Sequence, residues 1–100
     1  MIKAILQCYN AKADINGNRY WAFRWINTRT GREVVGTDCG GESNVSAIVR
    51  AMGLDWSTCR YERREMGIRE FNRMTKGWAY AGCCPDALAA YIKRELRRKP

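Results

Sequence analysis

Apolar and polar residues alternate over residues 2–9, placing Ile2, Ala4, Leu6 and Cys8 on one side of an extended chain and Lys3, Ile5, Gln7 and Tyr9 on the other. A period of two marks a β-strand, and the first set is the side expected to be buried. Residues 10–18 are rich in turn formers, and Asn16-Gly17-Asn18 supplies the positive φ angles that a hairpin reversal needs. A second strand follows over 19–27. There Tyr20, Ala22, Arg24 and Ile26 share one side, and the large rings of Trp21, Phe23 and Trp25 share the other. Residues 28–31 form a second tight turn leading into a third strand at 32–39, in which Val34 and Val35 face opposite ways. Three consecutive strands joined by short turns predict an antiparallel meander.

The period then lengthens. Gly40-Gly41 breaks the strand, Ser43 is a good N-cap, and Val45, Ile48, Val49 and Met52 fall on one stripe of a helix that Gly53 ends. Residues 56–66 alternate again, with Trp56, Thr58, Arg60, Glu62 and Arg64 set against Ser57, Cys59, Tyr61 and Arg63, as in a charged edge strand. Ile68, Phe71 and Met74 mark a short helix over 68–76 closed by Gly77, and residues 78–82 read as a loop carrying Trp78 and Tyr80. The last helix has Cys84 at its cap, Pro85 at its first position, Asp86 in its first turn and Leu88, Tyr91, Ile92 and Leu96 along one stripe. The order is β-β-β-α-β-α-α. It predicts an α+β fold in which an antiparallel sheet of three to four strands carries its helices on one face.

A length of 100 residues fits one domain spanning 1–100, and an apolar fraction of 46% supplies a core large enough to offset chain entropy. The longest apolar runs fall far short of the roughly 20 residues needed to cross a bilayer. The start, Met1-Ile2-Lys3-Ala4, lacks the charged region and apolar stretch of an export signal, so the expected location is the cytoplasm.

Composition then narrows the chemistry. The absence of histidine removes imidazole triads, the usual proton shuttle at neutral pH and the commonest transition-metal ligand. Cys8, Cys39, Cys59, Cys83 and Cys84 contain no C-x-x-C pair, which argues for reduced thiols over a zinc ribbon. Cys84 sits where a helix begins, a position that activates thiols, and is the candidate nucleophile if the chain is a thiol-dependent enzyme. Glu33, Asp38, Glu42, Asp55 and Glu62 form no local carboxylate pair, and no Walker loop, dinucleotide fingerprint or nucleophile elbow is present. The expectation is therefore a protein with no catalytic residues, no metal and no cofactor.

Charge supplies the positive statement. Lysine and arginine number 18 against 10 acids, a net charge of +8, so the expected partner is an anionic macromolecule. Arginine dominates, and its planar fork suits phosphate and carboxylate. The candidate contacts are Arg24 in the aromatic strand; Arg60, Arg64, Arg69, Arg73 and Lys76 in a second group; and Arg94, Arg97, Arg98 and Lys99 in a basic C-terminal tail at 93–100. Glu62, Glu65 and Glu70 interleave the second group, and the opposing reading is intrachain pairing, with Glu65 near Arg69 and Glu70 near Arg73. Trp21, Trp25, Trp78 and Tyr80 are the candidate aromatic contacts. An exposed Trp21, Phe23 and Trp25 face would make a base-stacking platform. Burial of three large rings is energetically favoured, which assigns them to the core and leaves Arg24 as the exposed member of the strand.

Arg19, Ala22 and Phe23 resemble the aromatic strand motif of RNA-recognition-motif domains. Tyr20 and Arg24 depart from it, and the order of elements differs. From residue 19 to 52 the meander and helix are similar in outline to the sheet-in-groove DNA-binding domains of phage integrases. In size and style, a basic chain rich in tryptophan and arginine resembles the accessory proteins of phages and prophages, anti-CRISPR proteins among them. That resemblance implies a non-catalytic binder that occludes a host or defence macromolecule, either a nucleoprotein or an acidic protein surface, in a bacterial cytoplasm. A direct DNA- or RNA-binding module is the alternative.

Overall fold

A computed structural model describes residues 1–12, 19–38, 45–82 and 84–98. In chain order these form β1 (Ala4–Lys12), β2 (Arg19–Asn27), β3 (Glu33–Asp38), α1 (Val45–Ala51), β4 (Cys59–Met66), α2 (Ile68–Met74), β5 (Tyr80–Gly82) and α3 (Pro85–Arg97). The meander is present: β1 pairs antiparallel with β2, and β2 with β3. Its second turn is held by Asn27. The Asn27 backbone carbonyl accepts the Gly31 N–H at 2.8 Å, and its side-chain oxygen accepts the Arg29 and Thr30 N–H groups at 3.0 and 3.2 Å. Asn16-Gly17-Asn18 and the Ser43 cap lie outside the described residues.

The sheet itself departs from the expectation of three to four antiparallel strands. Five strands pair in the order β4-β1-β2-β3-β5, and the two outer ones are parallel to their neighbours. A meander leaves two open edges, at β1 and β3. The chain leaves β3, passes through α1 and returns as β4 along the β1 edge. A crossover with a helix in it delivers a parallel strand, which local alternation cannot reveal. The β5 strand, read from sequence as loop, has only three residues, too few for a period to show.

The helices also divide between the two faces instead of sharing one. Paired register puts Ala4, Leu6, Cys8, Phe23, Trp25, Val34 and Cys59 on the same side, where they pack with Val45, Ile48 and Val49 of α1 and Leu88, Tyr91 and Ile92 of α3. Burying rings such as Phe23 and Trp25 contributes roughly 1.5–3 kcal/mol each. On the reverse side Tyr9, Ala11 and Ala22 form a smaller apolar cluster, and Phe71 of α2 covers it together with Met66, Ile68, Met74 and Trp78. The outer side of β1 and β2 is thus only half polar, and α2 follows β4 closely enough to cover it.

The ends of α1 and α3 are fixed by specific bonds. Gly53 has φ +78°, and the Gly53 and Leu54 N–H groups donate to the Arg50 and Val49 carbonyls at 2.9 and 3.1 Å, a Schellman closure. At the end of α3, the Arg32 guanidinium donates to the carbonyls of Leu96 at 2.6 Å and Glu95 at 3.1 Å, placing a cation on the negative end of the helix dipole. The helix runs on to Arg97, so most of the basic tail is folded helix. No described helix is long and apolar enough to cross a membrane.

Candidate functional site

The alternation of β4 sorts its charges between the two faces. Arg60, Glu62, Arg64 and Met66 share the α2 side, while Arg63 and Glu65 share the α1 and α3 side. The acids on or beside the strand are occupied by its own arginines. Arg60 meets Glu62 at 3.1 Å, Arg63 meets Glu65 at 3.1 Å and Arg64 meets Glu70 of α2 at 2.8 Å, while Arg19 approaches Glu65 at 3.7 Å. The Glu65–Arg69 and Glu70–Arg73 pairs expected from helical spacing do not form. Glu65 lies on the other face of the sheet, and Glu70 reaches back to Arg64.

This arrangement leaves α2 with an unneutralised outer stripe. Phe71 is buried and Ile68 and Met74 are half-buried against the sheet, so the helix turns Arg69 and Arg73, four residues apart, towards solvent. Lys76 follows in the turn after the helix and is also exposed. None of the three has a carboxylate partner among the described residues. Tyr20, half of it exposed, rests against Phe71 with ring centroids 6.3 Å apart, so an aromatic face borders the stripe. Sequence placed Tyr20 on the outer side of β2 but gave no reason to bring it to α2.

The remaining candidates fall elsewhere. Arg24 is not the exposed residue expected: its guanidinium lies over the Trp78 ring at 5.8 Å and 3.5 Å from Glu33, and the side chain is half-buried. Trp25 is 2% exposed and belongs to the core, where no partner can reach it, while Trp21 and Trp78 are half-buried. Trp78 packs edge-on against Tyr9. Tyr80 stands exposed on the β5 edge. Arg94 covers the Tyr91 ring at 5.4 Å, Arg98 pairs with Glu95 at 3.0 Å, and Arg97 is exposed. Lys99 lies outside the described residues. Arg94 and Arg97 belong to α3 and Arg98 caps it, across the sheet from α2, so the two basic groups do not form one surface.

A polar chain that sequence reasoning missed joins β1 to β4. The Tyr9 hydroxyl donates to Gln7 Oε1 at 2.8 Å, and Gln7 Nε2 donates to Glu62 Oε1 at 2.7 Å, beside a hollow of about 300 Å³. Burial pushes the Tyr9 hydroxyl above its ordinary value, keeping it a hydrogen-bond donor. Only the parallel β1–β4 pairing brings these residues together. Cys8 and Cys59 are buried, and burial raises the Cys59 thiol; Cys84 is exposed at the cap of α3. No group of three or more Cys, Asp or Glu residues able to hold a metal occurs among the described residues. No protein-family model, curated protein or solved structure matches this chain.

Proposed function

We propose that this chain is a non-catalytic binding protein that docks on an anionic surface of a host macromolecule through α2 and acts by covering it. One observation carries the reading: Arg69, Arg73 and Lys76 have no acidic partner among the described residues and share one exposed stripe, while the neighbouring arginines are paired. Exposed ion pairs add little to stability, so pairing of the β4 arginines serves mainly to remove them from competition for a partner. Unpaired arginines keep their full capacity for bidentate contact with carboxylate or phosphate. A phage or prophage accessory protein acting on a nucleoprotein or acidic protein in a bacterial cytoplasm fits this mode of action.

The second reading is direct nucleic-acid binding, favoured by Tyr20 beside the stripe, since a ring next to phosphate-binding cations is the arrangement that holds unpaired bases. One experiment addresses both. The tagged protein and an Arg69→Gln/Arg73→Gln/Lys76→Gln variant are used for capture from bacterial lysate, with and without nuclease. Capture that survives nuclease and disappears in the variant supports docking on a protein surface. Capture abolished by nuclease supports the second reading, and equal capture by the variant removes α2 from either.

A further inference from the structure

A second concavity lies at the other end of the sheet from α2, on the opposite face. Two helices stop there: α1 turns away at Gly53, and α3 closes against Arg32 just beyond Leu96. A hollow of about 680 Å³ opens there beside the last paired row of β1 and β2, Ala4 and Asn27. Its inner lining is apolar: Met52, Leu54 and Leu96 are half-buried there, beside the buried Ala4 and Trp25. Two further large apolar residues, Met1 and Ile2, are exposed on its wall, giving this end of the molecule a concentration of uncovered apolar groups of the kind that marks a binding site. The wall is pinned by Thr28, whose hydroxyl donates to the Ile2 carbonyl at 2.7 Å and whose N–H donates to the Lys3 carbonyl at 3.1 Å.

The charges around this hollow have one sign. Lys3 and Arg29 line it with exposed side chains, and no carboxylate does among the described residues. The carbonyl ends of α1 and α3 also reach this region, but Gly53, Leu54 and Arg32 already occupy them. An apolar floor with a few polar groups at its edge, at this volume, suits a small molecule. We propose that the groove binds a linear amphiphile whose aliphatic chain lies against Met52, Leu54 and Leu96 and whose carboxylate head meets Lys3 and Arg29. This site is separate from the α2 stripe and does not depend on the function assigned to it.

The test uses sodium dodecanoate below its micellar concentration, followed by calorimetry and by the amide resonances of the intact protein, with dodecyltrimethylammonium as the cationic counterpart. Saturable binding is expected, with shifts confined to the lining, Lys3 and Arg29 included. The cationic amphiphile should bind more weakly. Lys3→Glu/Arg29→Glu, at two exposed positions, should lower dodecanoate affinity by about tenfold, the combined effect of two exposed charge interactions. Leu54→Gln should weaken both amphiphiles, and circular dichroism checks that each variant is folded. The proposal is overturned by non-saturating uptake, by equal affinity for the two head groups, or by shifts scattered over Tyr20, Trp56 and Tyr80. It is also overturned if an acidic leucine-containing peptide occupies the groove and dodecanoate does not.

Discussion

Gly82 sets how closely α3 approaches the sheet. Its φ is +136°, and a Cβ there would lie 2.8 Å from Ala87 Cβ. Gly82→Ala therefore meets both a disfavoured backbone angle and a packed methyl group, and the urea unfolding free energy should fall by about 2–3 kcal/mol. Titration supplies a second residue-level prediction. Burial raises the Cys59 thiol above 9.0 and the Tyr9 and Tyr91 hydroxyls above 10.0. In each case the folded chain holds its proton after the unfolded chain has released it. Their stabilising contribution is complete below the ordinary values and is lost as pH rises through the folded ones. Unfolding free energy should fall from about pH 9 upward, and Cys59→Ala should flatten the first part of that decline. An alkaline profile identical in the variant would show that Cys59 is not responsible.

At the level of elements, legibility followed one-sided burial. In β1 the alternation of Ala4, Leu6 and Cys8 is clear because one large core takes that side. The same strand also buries Tyr9 and Ala11 on the other side, and two-sided burial erases the signal that would have revealed the second cluster. The α3 stripe and the Gly53 stop are local and were readable; the β1–β4 pairing joins residues more than fifty positions apart and was not. The same limit applied to the candidate site. The spacing of Arg69 and Arg73 announced a common helix face, whereas the neutralisation of Arg64 depended on how α2 folds back over β4. Glu70 controls that pairing. Glu70→Gln should release Arg64 to the stripe and raise the salt concentration needed to elute the protein from heparin. The stability cost should stay below about 1 kcal/mol because the pair is exposed. An unchanged elution would place Arg64 outside the anion-binding face.

Over the whole molecule, the decisive feature is a sheet that separates two basic surfaces. The described residues span 41 × 28 × 21 Å, and α2 and α3 occupy opposite sides of the sheet. A surface that docks against one side cannot also grip the other, so the net charge overstates what any rigid partner feels. The two sides also differ in quality. On the α3 side, Arg94 is engaged with Tyr91 and Arg98 with Glu95, whereas Arg69, Arg73 and Lys76 have no such partner among the described residues. Replacing the α2 set with glutamine should reduce the salt slope for binding an anionic polymer by roughly 2–3, since each neutralised phosphate releases about one counterion. Replacing Arg94, Arg97 and Arg98 in the same way should change the slope by less than about 1. Measured side by side, equal reductions in the two variants would mean that the polymer wraps the chain, and a larger reduction in the α3 variant would move the docking face across the sheet.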